Sequence, residues 1–130
     1  MYEPIRTKSV VHRMGDSRAD YPHRSRGEAL DMQLAGHLAA LLAVTDELGL
    51  VESGDRIAAQ VARLRGAQPV RAPHGPGGDI AALHQRAHDH AARALLVAAS
   101  RADTAAAILA AERMDAHAAA LRSVGLAGAL

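Results

Sequence analysis

From residue 25 onward, apolar positions recur at three- and four-residue steps in segments separated by glycine, proline or short polar runs. Leu30, Leu34, His37, Leu38, Leu41, Thr45 and Leu48 form one such stripe, and Gly49 is a natural stop after it. Ser25 and Glu28 stand at capping-box spacing just ahead of the stripe, so a first helix is expected to start near Ser25. A second, shorter helix is predicted over Ser53–Gly66. Ser53 or Asp55 is its expected cap, Ile57, Val61 and Leu64 its apolar face, and Gly66 its end.

Residues 67–78 hold Pro69, Pro73, Gly75, Pro76, Gly77 and Gly78, which reads as a non-helical linker. A phosphate loop would need a strand before these glycines and a lysine after them, and the sequence supplies neither. Asp79 is placed to cap a third helix carrying Ile80, Leu83, Ala87, Ala91, Ala94, Leu95 and Ala98. A fourth helix carries Thr104, Ala107, Ile108, Ala111, Met114, Ala118 and Leu121. The junction at Ser100–Thr104 contains neither glycine nor proline. A tight turn capped by Asp103 is the expected solution, with one continuous helix over 79–122 as the alternative.

Residues 1–24 show no sustained period. They mix Pro4, Gly15 and Pro22 with an excess of basic over acidic side chains, and read as an irregular, loosely packed arm. The expected architecture is therefore all-α: a small antiparallel four-helix bundle over 25–124, with linker 67–78, preceded by an irregular N-terminal arm over 1–24.

Composition strengthens the helical reading and lowers the expected stability. Of 130 residues, 49% are hydrophobic, yet Phe and Trp are absent and only two Tyr occur. Alanine dominates; it is the best helix former, whereas strand-forming residues are scarce. Each buried alanine removes little apolar area from water, so tight packing with modest stability is expected, the larger core residues being Leu with Ile57, Ile80 and Ile108. Pairing with a second surface would add buried area. The prevalence of Ala, Arg, Gly and Asp with a single lysine, Lys8, suggests a GC-rich bacterial genome.

A formal net charge of +1 provides no global field to attract nucleic acid or acidic lipid. The absence of cysteine excludes disulfides, thiolate metal sites and thiol nucleophiles. No apolar run is long enough to span a bilayer, and the first ten residues lack a signal-peptide core, so a cytoplasmic location is expected, with no membrane partner.

Eight histidines are the sharpest chemical feature. On helical wheels His37 falls within the Leu stripe and His84 beside Ile80, Ala87 and Ala91. His88 lies at the edge of that face, and His117 on the polar side of its helix. Asp115 lies near a core face. His84 and His88 are spaced i, i+4, so both imidazoles can reach one ion. His37 can add a third nitrogen and Asp115 a carboxylate, a donor set suited to a divalent transition metal. The paired Glu-x-x-His motifs of carboxylate-bridged bundles are missing. Core or boundary histidines explain the same pattern without a metal.

No nucleophile stands in a catalytic context, and Asp46 and Glu47, being adjacent, read as a solvated face and not as a carboxylate pair. Arg56, Arg63, Arg65 and Arg71 offer a weak basis for nucleic-acid binding, but stacking aromatics and a strong positive excess are missing. The leading expectation is a non-catalytic helical interaction or regulatory module, with a protein partner or homodimer and no cofactor. A metal-binding bundle using His37, His84, His88 and Asp115 is the alternative, and a weak nucleic-acid binder comes after that.

Overall fold

The computed structural model describes residues 2–75 and 77–129, with side chains over 25–75 and 77–127. Four helices follow one another: α1 (Tyr2–Glu47), α2 (Val51–Arg65), α3 (Ile80–Ser100) and α4 (Thr104–Ala129). No strand occurs among the described residues. The class is all-α, as the pattern predicts.

Residues Met1–Leu30 form one compact unit and Asp31–Leu130 another. In the first unit the backbone is helical from Tyr2, where the sequence shows no sustained period. Pro4 falls within the first turn, whose backbone donors have no helical partner in any case. Ser25 consequently lies inside α1, and the capping box expected there is not a helix start.

The second unit is the bundle, built from the last part of α1 with α2, α3 and α4. Its connections follow local chemistry. Gly49, at φ +77°, ends α1 in the left-handed conformation that glycine adopts without steric cost. Helix α2 begins at once, at Val51, with no side-chain cap, so Ser53 is internal and the cap expected at Ser53 or Asp55 is not used. The short turn delivers Leu50 directly to the helix, where its carbonyl accepts from Gly54 N–H at 2.8 Å. Gly66 closes α2 in the left-handed conformation, donating to the Ala62 carbonyl. Asp79 caps α3, accepting from Ala82 N–H at 3.0 Å. Asp103 caps α4, accepting from Ala106 N–H at 3.2 Å. The chain therefore breaks between α3 and α4, and Ala102 supplies the left-handed residue (φ 56°) that a glycine would ordinarily provide.

Cross-helix pairs define the topology. His84, near the start of α3, meets His117 at the middle of α4, while the turn joins the end of α3 to the start of α4. Arg56 and Arg63 of α2 reach Glu112 and Asp103 respectively, and Arg101 after α3 reaches Asp31 of α1. Each of these pairings is antiparallel, and α2 and α3 consequently run in the same direction. The linker must therefore return from the end of α2 to the start of the bundle. It does so as an extended strap.

The core is two-toned. Leu34, Leu38, Leu41, Leu42, Val44, Ile57 and Val61 fill the α1–α2 side. The α3–α4 side is lined by Ala87, Ala91, Ala94, Ala98, Ala106 and Ala110, with Leu83 and Leu109. Small side chains let these two helices approach closely, replacing large buried surfaces with dispersion contacts between backbones. Ile80 and Ile108, expected in the core, are 43% and 54% exposed, and of the isoleucines expected there Ile57 alone is buried. Alanine all around α4 leaves the wheel without a preferred face, so Ile108 could not be placed by period alone.

Candidate functional site

The histidines do not gather as the spacing suggests. His37, His84 and His88 are half-buried and Asp115 is exposed. Among the described residues, no three His, Asp or Glu side chains lie close enough together to hold a metal ion. His84 is joined instead by His117, which was expected on a polar face but is 1% exposed. Their Nδ1 atoms are 2.9 Å apart and their rings are tilted at 47°. On the other side of His117, Arg113 Nη2 lies 3.4 Å from Nε2.

Proton positions in this chain follow from what each group can do. Arginine only donates, so His117 Nε2 must accept, which puts the His117 proton on Nδ1. That proton is donated to His84 Nδ1, leaving His84 protonated on Nε2. Both rings are neutral in this arrangement. Burial, followed by the charges of Arg113, His84 and His88, pushes His117 down to about 4. Burial and Arg113 lower His84 as well. His88 stands nearby with its Nδ1 buried and without a hydrogen bond; the Asp89 carboxylate at 3.5 Å is outside bonding geometry. Arg113 Nε is likewise buried and unbonded.

A second polar cluster ties the strap to the bundle. Asp46, read as solvated, is 8% exposed. Arg71 of the strap holds it with two parallel hydrogen bonds, Nε to Oδ2 at 2.9 Å and Nη2 to Oδ1 at 2.8 Å. Ala72 N–H adds a third at 3.0 Å, and Arg71 Nη1 reaches Asp55 at 3.0 Å. The fork of guanidinium donors matches a carboxylate bidentately. Arg71 holds the Asp46 carboxyl below its ordinary value against the opposing effect of burial, with Ala72 assisting.

Glycines make the approach possible. A Cβ on Gly54 would lie 2.7 Å from Arg71 Nη2 and 2.8 Å from Asp46 Oδ1. One on Gly49 would run into the His74 ring, and one on Gly75 would lie 2.8 Å from Glu47 Cγ. Gly75 N–H also donates to the Glu47 carbonyl at 3.0 Å. Sequence reasoning missed this clasp because its partners are 25 residues apart. The signal available was a lone arginine in a Pro/Gly-rich linker.

The arginines that suggested a nucleic-acid face are largely engaged: Arg56 with Glu112, Arg63 with Asp103, and Arg71 with Asp46 and Asp55. Among the described residues no helix is long and apolar enough to cross a membrane. No protein-family model, curated protein or solved structure matches the chain.

Proposed function

We propose that the bundle is a non-catalytic interaction module that pairs with a second copy of itself through the outer face of the α3–α4 hairpin. The observation that carries this reading is Ile108, 54% exposed on the edge of a shallow recess of about 190 Å³ whose other walls include Ala98, Ala99, Ala102 and Ala107. Knob and recess lie side by side on one patch, so a two-fold axis can seat the isoleucine of each copy in the recess of the other. Asp103 is the charged residue of the recess, and Arg63 already neutralises it, so like charges do not meet across the axis. Leu96, 71% exposed and one helical turn before Ala99, extends the apolar area. The small side chains of the core remove little apolar area from water, and pairing adds burial that the isolated bundle lacks.

Sedimentation velocity over a concentration series tests the proposal. The protein is expected to sediment as a dimer at high concentration, and Ile108→Asp as a monomer with unchanged helical circular dichroism. A wild-type protein that stays monomeric to millimolar concentration would refute it.

Transition-metal binding is supported less well. Two facing Nδ1 atoms can chelate an ion only if the His117 proton moves from Nδ1 to Nε2, and there it meets the donor and the positive charge of Arg113.

A further inference from the structure

The strap does more than connect α2 to α3. Held by Arg71 and by the close approach of Gly75 to Glu47, it forms one wall of a cavity of about 500 Å³, within the usual range of small-ligand sites. The floor is apolar and made of small side chains, Ala40, Ala43 and Val44 of α1, with Pro73 of the strap opposite. Arg86 and His90 of α3 bring donors to one part of the lining, and Glu47 of α1 brings an acceptor. Among the described residues neither Arg86 nor Glu47 takes part in an ion pair, in contrast to Arg56, Arg63, Arg71 and Arg101. An apolar cavity that retains one cation and one anion without pairing them matches a ligand carrying both charges and an apolar body.

We propose that this cavity binds a small apolar zwitterion of the amino-acid or short-peptide class. Its carboxylate lies on Arg86 and His90, its ammonium at Glu47, and its aliphatic side chains on Ala40, Ala43 and Val44. Arginine is suited to the first role because its planar fork grips a carboxylate bidentately. The small floor residues leave room for branched side chains. The clasp and the glycines of the strap fix the wall, which lowers the entropic cost of ordering the site on binding. This site is separate from the α3–α4 pairing face and does not depend on it.

The test is isothermal titration calorimetry of the full chain with leucyl-leucine, its N-acetyl derivative and its C-terminal amide. Leucyl-leucine is expected to bind, and each blocked derivative to bind at least tenfold more weakly. Arg86→Gln is expected to abolish the preference for the free acid over the amide, and Glu47→Gln the preference for the free amine over the acetyl form. Ala43→Leu, which fills an exposed part of the floor, is expected to remove binding with the helical spectrum unchanged. Absence of heat with leucyl-leucine at millimolar concentration would overturn the proposal. So would equal binding of all three ligands, or an Arg86→Gln protein that still discriminates acid from amide.

Discussion

His117 is a neutral imidazole enclosed among Arg113, His84 and His88, and its charge state links the fold to pH. In the unfolded chain it titrates near the ordinary histidine value of 6.5, and in the fold at about 4. Between these values the unfolded state binds more protons, so stability rises with pH across that window. It is complete above 6.5 and is lost as pH falls toward 4, by on the order of 3 kcal/mol for this residue. Urea titrations at a series of pH values should show this slope, and His117→Leu should flatten it. The Asp46 clasp acts in the same direction at lower pH, because its carboxyl is held below the ordinary value and its contribution disappears on protonation. Asp46→Asn, which leaves Arg71 with Asp55 as its remaining counter-charge, should cost about 2–3 kcal/mol, below the usual cost of breaking a buried pair because Arg71 is partly in water. Denaturant midpoints of the two proteins check this. Neither residue announced itself in the sequence. Asp46 read as part of a solvated face, and His117 fell on the polar side of its wheel, since a wheel gives the angle of a side chain but not the identity of its neighbour.

Local signals served well where they were local in cause. Gly49, Gly66, Asp79 and Asp103 end or begin the helices they were expected to, because each acts within four residues of itself. Ser25 and Ser53 are not helix starts: α1 extends upstream of one, and a three-residue turn starts α2 before the other. The α3–α4 turn shows what composition hides. A break with no glycine was expected there, and Ala102 adopts a backbone conformation that L residues occupy at a cost. Ala102→Gly should therefore stabilise the protein by about 0.5–1 kcal/mol, the relief of that strain exceeding the added chain entropy of glycine. A rise in thermal midpoint would show it, and a fall would mean that the turn is unstrained.

At the scale of the bundle, the antiparallel contacts of each helix with its neighbours were legible as a class, but the parallel course of α2 and α3 was not. Periodicity gives faces and lengths; it carries no information on which way a long connection turns. The strap resolves this, and it divides the fold into two helical hairpins, α1–α2 and α3–α4, joined covalently only through residues 66–79. Val70, 95% exposed, stands on that bridge just before the arginine that holds it down. Cleavage at this point would leave Arg71 on the second hairpin and its carboxylates on the first. The molecule is thus built so that it can be split into complementary fragments. Separately produced 1–70 and 71–130 should reassemble when mixed, as judged by recovery of helical circular dichroism, and Arg71→Met in the second fragment should weaken that reassembly. The residue that fastens a loop in the intact chain becomes, in the divided one, the means by which two peptides recognise each other.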